Sequence, residues 1–148
     1  MRLTRFLLPA FLLWAICARV AAEAQPMSPV GPDSRIEIVY SGAKDCPACL
    51  GWKREGGGRE LFMRFAESRH VVFREIEKAT LDAPFSDSEW PEDLRWLPKG
   101  NPKLYDIVPA FSVLVDGRLV MTRFGTVGWG GEVVPAVRAL VRDKLDAP

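Results

Sequence analysis

Apolar and polar residues alternate through Arg35–Tyr40 (RIEIVY), with Ile36, Ile38 and Tyr40 on one side, which predicts a β-strand. A helix is predicted from Pro47 to about Arg54. The glycines at 56–58 would each cost about 1 kcal/mol in a helix interior, so they break it. A second helical piece should run through Arg59–Arg69, with Leu61, Phe62, Phe65 and Ala66 as its apolar stripe. Val71–Ile76 (VVFREI) is a second strand. The stretch Lys78–Lys103 is the least regular: Asp87-Ser88 and Asn101-Pro102 look like helix starts, Glu92–Leu97 like a short helix ended by Pro98, and Lys103–Tyr105 like a single turn. Trp90 and Trp96 are expected to anchor this stretch in the core. Ala110–Val115 (AFSVLV) reads as a buried strand, Asp116-Gly117 as a two-residue hairpin turn and Arg118–Phe124 as the partner strand. Glu132–Leu145 sets Val133, Val134, Val137, Leu140, Val141 and Leu145 on one helical face.

In order this is strand, helix, strand, helix, hairpin, helix. The first two strands need a crossover and so run parallel, whereas the hairpin pair is antiparallel. The pattern implies an α/β fold built on a four-stranded mixed sheet with helices on both faces.

The N-terminus is of another kind. Arg2 and Arg5 precede an apolar run of about 12 residues, Phe6–Cys17, and Ala22-Glu23-Ala24 fits a small-x-small cleavage site. The run falls short of the roughly 20 residues that cross a bilayer, and Arg19 ends it. Residues 1–24 are therefore expected to be a cleaved signal peptide, residues 25–34 (QPMSPVGPDS) a flexible lead-in and residues 35–148 the folded domain. Bulky Ile16 argues against a lipid-anchor site at Cys17.

Composition changes meaning with that division. The whole chain has 148 residues, a net charge of +1, three cysteines and one histidine. Without residues 1–24 the balance is −1 and only Cys46 and Cys49 remain. Neither number suits an electrostatically driven nucleic-acid binder. A single histidine excludes a zinc site built from several. The domain is expected to be periplasmic or otherwise exported, where disulfides persist, and a pair closing so small a loop adds little to stability.

Cys46-Pro47-Ala48-Cys49 is thus the candidate chemistry. A strand, loop and helix in succession put Cys46 at a helix N-terminus, where free N–H groups and the helix dipole favour a thiolate. Pro47 suits the first helical turn. Cys49, one turn on, is near enough for reversible disulfide formation and should be less exposed. Thiol–disulfide exchange follows: Cys46 attacks, a mixed disulfide forms and Cys49 resolves it.

With Ile38-Val39-Tyr40-Ser41 before Asp45-Cys46-Pro47-Ala48-Cys49, and Ile107-Val108-Pro109-Ala110 opening the later strand, the chain resembles the thioredoxin-like superfamily over roughly residues 35–145. The resemblance implies a thioredoxin-like fold, a cis proline at Pro109 beside the redox pair, and a substrate strand held by the backbone of Val108. It departs from thioredoxins proper in lacking an extra strand and helix before the active-site strand. It also has Tyr40 where they bury an Asp that assists the second cysteine. In these respects it looks more like glutaredoxins or CPxC oxidases of the bacterial periplasm. Yet it lacks the oxidases' large helical insertion, and it echoes the glutathione-binding pattern only through Lys44 and Gly128-Trp129-Gly130-Gly131.

Around the pair, Lys44 would favour the Cys46 thiolate and Asp45 oppose it, unless both are solvated loop charges. Trp52 is either part of a substrate rim or packed under the sheet. Trp129 is expected in a glycine-flanked loop with a substrate-binding role. The expected partners are protein thiols or disulfides and a membrane redox partner, with no nucleic acid, no organic cofactor and no metal. The domain is expected to be a monomer. The alternative is a non-enzymatic, redox-responsive or Cu(I)-binding module, since two thiolates suit a soft ion. Against it, copper sites of this kind usually space their cysteines by three residues and add a histidine. His70 instead closes a helix far along the chain.

Overall fold

The computed structural model describes residues 30–148, so the expected signal peptide lies outside the described residues. Strand β1 (Ile36–Ala43) leads into α1 (Pro47–Lys53) and α2 (Gly58–Met63), followed by a 3-10 turn at Ala66–His70 and by β2 (Val71–Lys78). Two further 3-10 turns, α3 (Trp96–Gly100) and α4 (Lys103–Asp106) precede β3 (Ala110–Val115) and β4 (Arg118–Phe124). The chain then enters α5 (Gly125–Gly128), a π-helical turn (Trp129–Val133) and α6 (Val134–Asp146) without a break.

The sheet has the order β2-β1-β3-β4. β1 is parallel to β2, from Ile36 opposite Val71 to Ala43 opposite Lys78. It is antiparallel to β3, with Ser41 opposite Ala110. Asp116 and Gly117 take the positive φ values, 51° and 75°, that a tight hairpin turn between β3 and β4 requires. Apolar clusters cover both faces. One holds Ile36, Ile38, Tyr40, Trp52, Phe111 and Val137; the other holds Val39, Ile76, Phe85, Trp90, Leu97 and Leu114. The α/β fold with a four-stranded mixed sheet and helices on both faces is therefore the one expected. Among the described residues no helix is long and apolar enough to cross a membrane.

Several boundaries differ from the sequence expectation, each for a physical reason. β1 runs three residues further, through Ser41-Gly42-Ala43, and all eight of its residues are buried. A strand covered on both faces does not advertise itself by alternation. The second helical piece stops at Met63 because the Ser68 hydroxyl donates to the carbonyls of Met63 and Phe65 and turns the chain. Of its expected stripe, Phe62 is buried, whereas Leu61 and Phe65 are exposed. The Phe65 ring instead lies under the Arg138 guanidinium, 4.7 Å away. Pro98 does not end a helix. It sits in the first turn of α3, where a missing N–H costs nothing.

Trp90 is a core anchor as expected, 1% exposed and 5.4 Å from Phe85, but Trp96 is 43% exposed at the start of α3. Val30–Ser34 is not a loose lead-in. Val30 packs on the core, the Ser34 hydroxyl donates to Asp116, and Lys144 donates to the Ser34 carbonyl. The final helical run begins at Gly125, seven residues before the expected start, which brings Trp129 into a helix instead of a loop.

Candidate functional site

β1 ends where the chemistry begins. Lys44 and Asp45 form the short link to Cys46, and the Lys44 N–H donates to the Lys78 carbonyl on β2. Asp45 bonds to the loop after β2: its carboxylate accepts from the Thr80 hydroxyl at 2.7 Å and the Leu81 N–H at 2.8 Å. The Thr80 bond, with Leu81 behind it, holds that carboxyl below its ordinary range. Asp45 therefore fixes the link to the loop after β2.

Cys46 is the N-cap of α1, with extended backbone (φ −76°, ψ 116°), and Pro47 opens the helix. Its Sγ accepts a hydrogen bond from the Cys49 N–H at 3.1 Å, taking the place of the oxygen usual in a cap. The two cysteines form a disulfide, with Cα atoms 5.1 Å apart. Cys46 is 3% exposed and Cys49 is 0% exposed, so the first cysteine is the more accessible residue. Pro47 and Ala48 lie exposed at the surface between them.

The Val108–Pro109 peptide bond is cis. It precedes β3 at the end of the sheet where Ser41 faces Ala110, the end at which β1 hands over to Cys46. The Pro109 carbonyl accepts from Gly125 N–H at 2.8 Å, which ties this segment to α5. Val108 packs against the cluster that contains both cysteines. Three further apolar side chains are exposed on the segments around the pair: Leu50 on α1, Ile107 before the cis bond and Val127, 86% exposed, on α5. The sequence does not mark these three as exposed, because each is a single apolar residue whose exposure depends on how distant elements meet.

The tryptophans sort differently. Trp52 packs under α1 against the sheet, stacked on Tyr40 at 4.5 Å and 2% exposed, so of its two readings the packing one describes it. Trp129 is 4% exposed, meets Trp52 edge-on at 5.2 Å and donates from Nε1 to the Gly58 carbonyl at 3.2 Å. It is chiefly a core residue, and contributes an edge to a cleft of about 430 Å³ beside α1 that Ala48, Gly51, Arg54, Thr126 and Gly130 also line. The Tyr40 hydroxyl and Trp52 Nε1 are both buried without a hydrogen-bond partner.

Among the described residues no three His, Cys, Asp or Glu side chains are grouped to hold a metal ion. His70 immediately precedes β2 at the end of the sheet marked by Ile36 and Val71, opposite the end that carries the cysteines.

No family model matches the chain, and no curated protein matches it. Among solved structures it is similar to the thioredoxin of Malassezia sympodialis (Mala s 13), described as a member of a new pan-allergen family. That likeness has 13% identity and a TM-score of 0.48, over 76% of this chain and 80% of the other. It is also similar to the short form of thioredoxin f from spinach chloroplast, with 15% identity and a TM-score of 0.44, over 74% and 79%. The strand order, a cysteine pair opening the helix after β1 and a cis proline before β3 make the architecture thioredoxin-like.

Proposed function

We propose that this chain is an exported thiol–disulfide oxidoreductase that exchanges disulfides with protein substrates through Cys46-Pro47-Ala48-Cys49. One observation carries the reading: the disulfide caps α1, with the Cys49 N–H directed at Cys46 Sγ from 3.1 Å. The same N–H would stabilise a thiolate there, since charge-assisted hydrogen bonds are stronger than neutral ones.

In the reducing direction the Cys46 thiolate attacks a partner disulfide. One partner sulfur leaves as a thiolate and the other is held in a mixed disulfide. Cys49 then attacks Cys46 Sγ, the second partner sulfur leaves, and two electrons have passed from the cysteine pair to the partner. Oxidation of a dithiol substrate is the same path reversed. The cysteine pair carries the electrons, so the reading needs no organic cofactor. Val108 and Pro109 would border the substrate segment, with Leu50, Ile107 and Val127 as its apolar surroundings. Export follows from the N-terminal charge and hydropathy pattern, and a monomer with a membrane redox partner completes the picture.

The test is Cys49→Ser, which stops resolution. Mixed disulfides joining Cys46 to exported proteins are the expected result. No trapped species, together with no wild-type activity on a model disulfide and tight Cu(I) binding, would transfer the chain to the metal-binding alternative. Direction is read from the reduction potential. A value near about −270 mV indicates a reductase and one near about −120 mV an oxidase.

A further inference from the structure

Tyr40 is fully buried, and its hydroxyl has no hydrogen-bond partner in the disulfide form. An unpaired buried hydroxyl is costly to keep, so its surroundings call for an explanation. The hydroxyl reaches along β1 to Gly42, the next residue on the same face, where any Cβ would overlap it. The missing side chain at Gly42 is what makes room for it.

α1 runs back above this strand. The Cys46 N–H bonds to the Ala43 carbonyl at 3.3 Å, whereas Trp52 lies over Tyr40 with ring centroids 4.5 Å apart. From Cys46 to Trp52 the helix rises about 9 Å. From Ala43 back to Tyr40 the strand covers about 10 Å. The two runs match, so Cys49, midway along α1, stands at the level of Ser41 and Gly42. That is where the Tyr40 hydroxyl ends, and both side chains belong to one buried cluster.

The charged groups facing this spot come from three elements. Lys53 on α1 donates to Glu77 on β2 at 2.7 Å, and Glu77 is the strand neighbour of Gly42. Arg59 on α2 donates to Glu75 at 2.6 Å, and Glu75 is the strand neighbour of Tyr40. Phe111 on β3 and Trp129 close the remaining sides without charge. Both carboxylates thus have cations of their own. Burial, with Glu77 and Glu75 adding to it, raises the tyrosine pKa, so the hydroxyl keeps its proton and can donate.

We propose that Tyr40 is a positioning residue for the exchange reaction, its hydroxyl donating a hydrogen bond to the Cys49 sulfur whenever that sulfur is free of the disulfide. The proposal rests on the thiol–disulfide reading above. In the resolving step the Cys49 thiol gives its proton to water and the thiolate is held by Tyr40. The Cys49–Cys46 bond forms as the bond between Cys46 and the partner breaks, and the partner sulfur leaves as a thiolate that takes a proton from water. The Tyr40 proton stays on its oxygen throughout.

Tyr40→Phe keeps the stacked ring and removes only the hydroxyl. Its dithiol–disulfide equilibrium should shift about tenfold toward the disulfide, which for a two-electron couple is about 30 mV. In a Cys46→Ala background, titration of Cys49 should move up about tenfold in proton affinity. The thermal midpoint of the oxidised form should not fall, because the hydroxyl has no partner there. A purely structural role would instead lower that midpoint and leave the equilibrium alone, and an equilibrium within twofold of wild type overturns the proposal.

Should the variant not fold, the wild type still decides. The chain has two tyrosines, and Tyr105, bonded to Asp87 at 2.6 Å, serves as the internal control. With ring-carbon-labelled tyrosine, reduction should move the Tyr40 NMR signal and leave that of Tyr105; an unmoved Tyr40 signal overturns the proposal. A cysteine pair that cannot be reversibly reduced at all overturns the function and this inference together. Reversible reduction with an unshifted Tyr40→Phe overturns the inference alone.

Discussion

Two glycines 7 residues apart should respond to the same substitution with opposite signs. Gly51 lies within α1, and a Cβ added there meets nothing within 4 Å. Gly51→Ala should therefore gain the ordinary helical advantage of alanine, about 0.5–1 kcal/mol. Gly58 opens α2, so on propensity alone it should gain as well. Its added Cβ, however, would fall 2.6 Å from Trp52 Cδ1 and 2.8 Å from the Nε1 atoms of both Trp52 and Trp129. Neither ring has room to retreat: Trp52 is stacked on Tyr40, and Trp129 is bonded to the Gly58 carbonyl itself. Overpacking of this kind costs about 1–3 kcal/mol, which outweighs the helical gain. The expected net effect of Gly58→Ala is a loss of about 1–2 kcal/mol, or roughly 3–8 °C in midpoint for a domain of this size. Urea titration of the oxidised proteins, followed by tryptophan fluorescence and far-ultraviolet circular dichroism, measures both variants under one protocol. A Gly58→Ala protein as stable as wild type would refute the close packing of the two indoles on that backbone.

Three further outcomes test other parts of the molecule. Lys78 is 2% exposed and its ammonium donates to the Ala83 carbonyl at 2.6 Å while lying 5.3 Å from the Phe85 ring centre. Lys78→Met should cost about 1–3 kcal/mol in urea unfolding by leaving that carbonyl unpaired, and a neutral result would remove the bond from the account. The carboxyls of Asp45, Asp87 and Asp93 are held below their ordinary range by hydrogen bonds from Thr80, Tyr105 and Arg74. Their stabilising effect is complete above the unfolded carboxylate range, about pH 4, and is lost as pH falls through the lower folded values. Thermal midpoints should therefore drop on acidification below about pH 4, and a flat profile there would contradict these bonds. Cys49→Ser should accumulate mixed disulfides that a Cys46→Ser,Cys49→Ser protein does not, as seen by non-reducing electrophoresis.

What could be read from the chain is what local chemistry decides. The hairpin Ala110–Phe124 has the expected bounds because Asp116-Gly117 can adopt positive φ at both positions. The cysteine pair opening a helix was equally legible, since Pro47 and the strand before it are adjacent in sequence. The exposure of Trp96 and the helical, largely buried setting of Trp129 depart from the sequence expectation for the opposite reason. Whether an indole is covered depends on partners far along the chain, such as Gly58 for Trp129, 71 residues away. The sequence marks Tyr40 as a strand residue standing where thioredoxins bury an Asp, but says nothing of its packing. Only the folded chain, with Gly42 and Trp52 around it, reveals a hydroxyl without a partner.

The sheet order also has a consequence for the chain as it emerges. β1 is made before the other three strands of its sheet and is an inner strand of it, and its antiparallel neighbour β3 ends at Val115. Roughly 70 residues must be added between the two, which takes on the order of 4–14 s at ordinary synthesis rates. Through that interval IEIVYSGA has an edge with no strand to pair with, the kind of edge that invites association with other chains. A chaperone that binds extended apolar segments should therefore find a target in Ile36–Ala43 until residues 110–115 pair with it.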